Sequence, residues 1–440
     1  MKINIKKVLI ALFVLLLIPT FFFIPFPFKL EQPSVGQAES LVKTVKAAPP
    51  LAALDDYLGR LVSDGRYPSQ QAVLIEKLDG EVLAEYNADT PLNPASVIKL
   101  AVSYLVLKHF GPEHRFKTVA YTTGVIDEAK QTLYGDLVIE SDGDPNFRIA
   151  DAVTLANSIR SQGIKRIEGE LLVKGPMRLR HSSSSEYAFN KLKTTLGLTF
   201  PKAGATLTRT VEPLANNNAE PKRILLGEHF SAPLKELLLY MNAHSDNYYA
   251  EQLGRVLGGP EVVQEELLAE FRLRPEALYI SHTSGLNYNR ITPRALLAIL
   301  QKTINLLKGY DMRIENIMPV AGVDSGTLIL RLRQPGMMGG VVAKTGTLTS
   351  TDNGVSTLAG VIYSERYGPL LFAIFNMGGG VHYFRHHQDL FLSQAMAELG
   401  SNCLAVRSEN ILAPEQPEEE VASRSVRKRR ATYKPRRARR

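Results

Sequence analysis

Three short groups of residues in this chain could do chemistry together: Ser96-Val97-Ile98-Lys99, Ser245-Asp246-Asn247 and Lys344-Thr345-Gly346. A free serine hydroxyl is a weak nucleophile and needs an adjacent base. Lys99, one helical turn after Ser96, has the reach to serve Ser96 Oγ. It acts as a base only if its pKa falls, and burial and a second cation, Lys344, would both lower it. The Ser245 hydroxyl could relay a proton to a departing amine, while Asn247 offers a donor and an acceptor to a substrate amide. Lys344 and the hydroxyls of Thr345 and Thr347 could hold a substrate carboxylate, and Gly346 lets a backbone approach closely. The backbone N–H groups of Ser96 and Thr347 would make an oxyanion hole. The chemistry is acyl transfer through a covalent acyl-enzyme. Ser96, Lys99, Ser245, Asn247 and Lys344 are the expected catalytic groups, Thr345, Gly346 and Thr347 the expected binding groups, and no cofactor or metal is needed.

Each group alone is a weak signal. Ser-x-x-Lys recurs as Ser40-Leu41-Val42-Lys43, and Ser-x-Asn as Ser408-Glu409-Asn410. The first lies in a connector where nothing would fix it. The second follows Lys344-Thr345-Gly346, near the tail. Order and context select Ser96, Ser245 and Lys344.

The elements that would position these groups follow from periodicity. Ala72–Ile75 and Val82–Tyr86 flank Asp79-Gly80 and predict a hairpin with a tight turn. Pro94 tolerates a helix start, and the apolar spacing from Ser96 to Leu107 predicts a buried helix with Ser96 and Lys99 at its N-terminal end. Apolar helical spacing returns over Leu234–Leu257 and Thr292–Leu307. Val341–Ala343 predicts a strand entering Lys344, Leu358–Tyr363 and Leu370–Asn376 a second hairpin, and Tyr383–Leu399 a terminal helix. Residues 115–225 break this pattern with short strands at Leu137–Ile139 and Leu171–Val173, a helix over Ala150–Gln162, and loop-like clusters at Ser182–Ser185 and Asn216–Asn218. The expectation is an α+β fold whose sheet is completed by both chain ends, with an inserted smaller domain. The divisions are 1–30 signal or anchor, 31–50 linker, 51–114 and 226–412 the two parts of the catalytic domain, 115–225 the insertion, and 413–440 a disordered tail.

Composition bounds the rest. Of 440 residues, 45% are hydrophobic and 22% charged, which excludes wholesale disorder. One cysteine, Cys403, excludes an internal disulfide and a multi-cysteine zinc site. The net charge of +8 is local: residues 424–440 carry ten Lys or Arg and no acid, so the remainder sums to −2. The body therefore has no global pull toward nucleic acid, whereas the tail suits an anionic membrane or wall polymer, or no partner. At the other end, Lys2, Lys6 and Lys7 precede an uncharged apolar run from Val8 to Phe28. That pattern is an export signal, cleaved after Ala38, or a retained anchor interrupted by Pro19, Pro25 and Pro27. Either way the body lies outside the cytoplasm.

The three groups, in this order, resemble the D-Ala-D-Ala carboxypeptidase/endopeptidase family of class C low-molecular-mass penicillin-binding proteins, peptidase family S13. Further landmarks carry the resemblance: Gly135-Asp136-Leu137 with Gly143-Asp144-Pro145, Ser284-Gly285-Leu286 with Ile291-Thr292-Pro293, Pro319–Asp324 with Gly326-Thr327-Leu328, and Ala343–Leu348. His282-Thr283 stands where that family usually has Asp-Gly, and Ser325 is an additional residue. The resemblance implies a penicillin-binding/serine β-lactamase-like transpeptidase fold, with an antiparallel sheet flanked by helices. It implies cleavage of D-Ala-D-Ala ends, of D-Ala–diaminopimelate cross-links, or both, in peptidoglycan stem peptides, and acylation by β-lactam antibiotics. It also offers Asp144 as a contact for a wall-peptide side chain, beside its plainer reading as a turn residue. Two other functions share the motifs: a serine β-lactamase, which would need a group that activates water for deacylation, and a wall-binding protein without catalysis. His382, His386 and His387 read as an ordinary polar helix face rather than a metal site, and Gly378-Gly379-Gly380 as a turn rather than a phosphate loop.

Overall fold

The structure is a computed structural model and describes residues 51–180, 185–200, 222–334 and 336–400. The apolar N-terminal run, the connector with Ser40, Ser408, Cys403, the basic tail, the Ser182–Ser185 side chains and Asn216–Asn218 lie outside the described residues. Among the described residues, no helix is long and apolar enough to cross a membrane.

Helix α1 (Ala52–Ser63) leads into strands β1 (Gln71–Lys77) and β2 (Val82–Tyr86), joined through Asp79-Gly80, where Gly80 takes a φ of 90°. Helix α2 (Lys99–Phe110) follows. Residues 117–230 then hold β3 (Lys117–Thr122), β4 (Val125–Asp127), β5 (Thr132–Tyr134), β6 (Leu137–Ser141), α3 (Ile149–Ser161), β7 (Arg166–Ile167), β8 (Leu171–Lys174), α4 (Ser185–Leu196) and β9 (Ile224–Phe230). The chain returns through α5 (Leu234–His244), α6 (Asn247–Val256), α7 (Pro260–Glu270), β10 (Leu278–Tyr279), β11 (Arg290–Ile291) and α8 (Pro293–Lys308). It closes with β12 (Val341–Leu348), β13 (Val355–Ser364), β14 (Gly368–Met377) and α9 (Val381–Leu399).

The main sheet is antiparallel with the order β12-β13-β14-β1-β2, so strands from both ends of the chain complete it. Its central strands are buried on both faces, and successive side chains enter different cores. Ala72 and Leu74 pack with Leu105, Leu296 and Phe375 on the face covered by α2 and α8. Val73 and Ile75 pack with Tyr57, Phe372 and Phe391 on the face covered by α1 and α9. The two terminal helices are tied to the sheet by a buried polar chain in which Gln388 Nε2 donates to Asn376 Oδ1 and Asn376 Nδ2 donates to Gln71 Oε1 and to the Tyr57 hydroxyl.

Residues 117–230 have their own core, in which Ala120, Leu137 and Ile139 meet Leu155, Ile159 and Leu171. A four-stranded sheet, β8-β6-β3-β9, and a three-stranded one, β4-β5-β7, frame it.

The helices depart from their expected outlines at two places. The segment starting at Ala95 is a 3₁₀ turn through Ile98, and the α-helix proper begins at Lys99. The apolar run from Leu234 is not one helix: it breaks at Ser245, which caps α5 in the left-handed conformation (φ 56°), and Asp246 then caps α6 by accepting the Tyr249 N–H at 3.0 Å. Ser and Asp compete for backbone hydrogen bonds and favour such boundaries over helix interiors.

Candidate active site

The loop that presents Ser96 is held by a buried asparagine. Asn93 Oδ1 accepts the Ala95 N–H at 2.9 Å, while its Nδ2 donates to Asp352 Oδ2 at 2.7 Å. Asp352 is in turn gripped by Arg290 through two bonds of 2.8 and 3.1 Å. Ala95 has a φ of 46°. A non-glycine residue there costs about 1–3 kcal/mol, and such strain persists where surrounding contacts over-determine the backbone. Gly285 (φ 85°) presses against the Ala95 carbonyl so closely that a Cβ would collide with it. On the other side, Thr357 Oγ1 donates to the Pro94 carbonyl at 2.7 Å.

Lys99 is fully buried. Its Nζ lies 2.9 Å from Ser96 Oγ, 2.8 Å from Asn247 Oδ1 and 2.5 Å from the Ser284 carbonyl oxygen. The last two are obligate acceptors. A neutral lysine amine has two N–H donors and one lone pair, so donation to Asn247 and Ser284 leaves the lone pair for the Ser96 hydroxyl. Burial lowers the Lys99 pKa to about 7, against the opposing charges of Asp246 and Glu251. Lys344 was expected to contribute to that lowering. Instead the effect runs the other way: burial and then the Lys99 charge hold Lys344 well below an ordinary lysine.

Lys344, Thr345, Gly346 and Thr347 all lie on β12, the edge strand of the main sheet, next to the Ser96 turn. Lys344 Nζ donates to Ser245 Oγ at 2.9 Å and to the Thr345 carbonyl at 2.6 Å. Gly346 is not in a glycine-only conformation. Its value is space, since a Cβ there would strike Thr357 Oγ1 and come within 2.6 Å of the Pro94 carbonyl. The structure thus gathers Ser96, Lys99 and Asn247 into one hydrogen-bonded group and Ser245 and Lys344 into a second, the partners 148 and 99 residues apart, with the Lys99 and Lys344 charges close enough to act on each other.

Several participants lie outside the three motifs, although Ser284 and Thr327 belong to the landmark segments. The Ser284 carbonyl is a backbone group. Glu251 Oε1 accepts the Ser284 N–H at 3.0 Å and so aims that carbonyl. Thr283, at the position where glycine was expected, donates to the Ala250 carbonyl at 3.0 Å. Thr327 Oγ1 accepts from Thr345 Oγ1 at 2.9 Å, and Arg385 Nη2 donates to Thr347 Oγ1 at 2.7 Å.

Asp144 departs from a substrate contact. Its side chain is 1% exposed, with Oδ1 accepting the Asn146 N–H at 2.7 Å and Oδ2 facing His229 Nε2 at 3.2 Å. The turn reading describes Oδ1, which its own loop takes up, while Oδ2 is taken up by His229 on β9. That loop nonetheless reaches the site. Arg180 donates to Asn146 Oδ1 at 2.7 Å, lies 5.3 and 5.2 Å from the ring centroids of the packed pair Tyr240 and Tyr249, and comes within 3.5 Å of Asp246, the middle residue of the Ser245–Asn247 turn.

Comparison with known proteins places this architecture. The model of the D-Ala-D-Ala carboxypeptidase 3 (S13) family matches residues 54–195 and 174–396. The D-alanyl-D-alanine carboxypeptidase DacB of Haemophilus influenzae is 22% identical over 409 aligned residues, covering 68% of this chain and 83% of that protein. Penicillin-binding protein 4 of the same organism, solved with a β-lactam, superposes with a TM-score of 0.63 at 20% identity, over 77% of this chain and 99% of the other. A predatory endopeptidase from Bdellovibrio bacteriovorus, acylated by penicillin G, gives 0.57 at 22% identity, over 78% and 95%. At these identities the solved structures establish a shared fold.

Proposed function

This chain belongs to the D-Ala-D-Ala carboxypeptidase 3 (S13) family and is a serine-type D-Ala-D-Ala carboxypeptidase/endopeptidase, and we propose that Ser96 is its nucleophile. The observation that carries the assignment is the hydrogen bonding of Lys99, whose two acceptors leave its lone pair facing Ser96.

In the proposed reaction the carbonyl carbon of a penultimate D-Ala lies against Ser96 Oγ. Lys99 takes the hydroxyl proton as the Oγ–C bond forms, and the N–H groups of Ser96 and Thr347 receive the charge that develops on the carbonyl oxygen. A lysine with a pKa near the working pH suits that task. The C–N bond then breaks, and the Ser245 hydroxyl passes a proton to the departing amine while Lys344 replenishes it through their 2.9 Å contact. Lys344, Thr345 and Thr347 hold the carboxylate of the departing residue, Gly346 gives the strand its closeness to the nucleophile, and Asn247 orients the peptide amide. Water then hydrolyses the Ser96 ester. The departing residue is terminal D-Ala in a carboxypeptidase turn and diaminopimelate of a second stem peptide in an endopeptidase turn. A β-lactam enters the same route, its ring amide taking the place of the peptide bond.

Asp246 and Glu251 are the acidic groups whose charges act on Lys99; Asp246 accepts the Tyr249 N–H and faces Arg180, and the Glu251 carboxylate is committed to Ser284 N and Thr283 Oγ1. That supports a long-lived penicillin adduct over β-lactamase turnover, since neither of these carboxylates is free to activate water. Asp144 serves to shape the loop whose Asn146 accepts from Arg180. The basic flank and apolar run at the N-terminus place the enzyme outside the cytoplasm, with the peptidoglycan it acts on.

Purified sacculi treated with the enzyme test the reading. D-Ala release, loss of cross-linked muropeptides, or both are expected from the wild type and from neither Ser96→Ala nor Lys99→Met. Tight pelleting on sacculi without product would instead indicate a wall-binding protein.

A further inference from the structure

The loop between β10 and β11 serves the catalytic group with one part and meets solvent with another. Its Ser284 carbonyl lies on Lys99, and Gly285 presses on the Ala95 carbonyl. Leu286 and Tyr288 point outward, 40% and 53% exposed, and the ring of Tyr279 on β10, 48% exposed, lies 5.8 Å from that of Tyr288. The loop is tied between these parts. Buried Asn289 accepts the Ser281 N–H at 2.9 Å and donates to the Leu286 carbonyl at 2.8 Å. Asn93, which holds the nucleophile turn, donates to the Asn287 carbonyl at 3.1 Å. Arg290 lies 3.8 Å from the centre of the Tyr288 ring and is itself locked onto Asp352. A fixed guanidinium therefore backs one face of Tyr288, and the exposed area belongs to a ring already oriented. Single exposed apolar residues need no explanation, but an ordered aromatic pair with an aliphatic neighbour beside a catalytic loop marks a contact surface.

Position along the substrate identifies the occupant. Lys344 and Ser245 serve the departing residue, so the acyl part of a substrate laid along β12 runs the other way, toward Leu348 and then Asp352. Asp352 is the residue that fixes Arg290 behind Tyr288. From Gly285 to Tyr288 the α-carbons are at most about 11 Å apart. In a stem peptide, three residues separate the acylated D-Ala from the sugar that bears the peptide, roughly 10 Å when extended. The sugar thus comes level with the tyrosines when the D-Ala carbonyl reaches Ser96.

We propose that Tyr288 and Tyr279, with Leu286 beside them, form a platform for the glycan chain of peptidoglycan on the acyl side of the site. This rests on the peptidase reading of the same site. A pyranose ring presents an apolar C–H face and a rim of hydroxyls, and tyrosine matches it with an apolar ring and a polar tip. The enzyme then favours stem peptides that are still attached to sugar.

The test compares a disaccharide-linked pentapeptide with the same pentapeptide free of sugar, in the wild type, Tyr288→Ala and Tyr288→Phe. Release of D-Ala gives KM and kcat. The wild type should show a KM about three- to tenfold lower for the sugar-bearing substrate, the size of one aromatic stacking contact, with similar kcat. Tyr288→Ala should erase that advantage by raising KM for the sugar-bearing substrate, and Tyr288→Phe should keep it. Equal KM values in the wild type would overturn the proposal without any variant. Equal losses on both substrates in Tyr288→Ala, with slowed penicillin acylation, would mark a structural role and overturn it as well. Calorimetry of peptide-free glycan strands with inactive Ser96→Ala separates the platform from the peptidase reading. Glycan binding that is lost on adding Tyr288→Ala, with no peptide cleaved by the wild type, keeps the platform and rejects the peptidase. Cleavage with equal KM values and no glycan binding does the reverse. A dimer in sedimentation that dissociates in Tyr288→Ala, without glycan binding, would give the patch to a second copy of the chain and overturn the proposal.

Discussion

Glu251 Oε1 accepts the Ser284 backbone N–H at 3.0 Å, and through that bond the helix that carries Asn247 fixes the carbonyl facing Lys99. The same carboxylate raises the Lys99 pKa through its charge, while burial lowers it more strongly. Glu251 therefore has two separable effects on the base.

The pH dependence of acylation separates them. Lys99 acts when neutral, so the penicillin acylation rate should rise with pH along a limb centred near 7. Glu251→Gln keeps an acceptor for Ser284 and removes the charge, so the limb should move to lower pH with the plateau nearly retained. Glu251→Ala should also lower the plateau. A limb that stays in place or moves upward in Glu251→Gln would contradict this coupling.

Gly346→Ala tests the closeness of β12 to the nucleophile turn. Its Cβ would strike Thr357 Oγ1 and the Pro94 carbonyl, both behind Ser96. Overpacking of this kind costs about 1–3 kcal/mol. The variant should melt several degrees lower and be acylated at least tenfold more slowly, the latter in proportion to a misplaced attack geometry. Normal acylation with a lowered melting temperature would mean that the strand can yield without disturbing Ser96.

Asp144 should matter for stability rather than for substrate. The hydrogen bond that Asp144 accepts from His229 raises the His229 pKa above its ordinary value. A folded-state pKa above the unfolded value gives stability that is fully present below about 6.5 and is lost as pH rises through the raised value. Asp144→Asn should therefore lower the melting temperature more at pH 5.5 than at pH 8.5, and leave acylation of the folded protein close to wild type. A rise in peptide KM with no change in melting temperature would restore Asp144 as a substrate contact.

Much of the site could be read before any coordinates. Ser-x-x-Lys, Ser-Asp-Asn and Lys-Thr-Gly are local patterns whose residue types announce their chemistry, and the apolar spacing around them placed Lys99 at a helix start and Lys344 on a strand. That strands from both chain ends complete one sheet was legible in the runs at those ends, whereas the order β12-β13-β14-β1-β2 was not. What escaped were groups without a pattern of their own. The Ser284 carbonyl reaches Lys99 across 185 positions and has no side-chain identity. Arg385 looks like any polar residue on a helix face until β12 is laid beside it. Asp144 is offered as a contact by the resemblance alone, and its reading as a turn residue says nothing about what packs over it. The break between α5 and α6 was hidden by apolar residues on both sides, although Ser245 and Asp246 are the boundary-forming types.

The basic tail gives a prediction from charge alone. Residues 424–440 hold ten cations, and Debye screening over about 8–10 Å removes most of the influence of such charges on distant groups. Near an anionic lipid surface each basic residue contributes about 1 kcal/mol. Deleting residues 425–440 should leave acylation unchanged and weaken binding to vesicles rich in anionic phospholipid, most at low salt. Loss of acylation in the folded truncation would put the tail within the catalytic unit.

The central claim is that Ser96 is the acylated residue and Lys99 its base. Intact mass spectrometry of the wild type after incubation with benzylpenicillin, followed by peptide mapping, tests it most directly. The account predicts one long-lived adduct of the mass of the antibiotic, located on Ser96, absent in Ser96→Ala and strongly slowed in Lys99→Met. An adduct that persists in folded Ser96→Ala, or that maps to another serine, would contradict it.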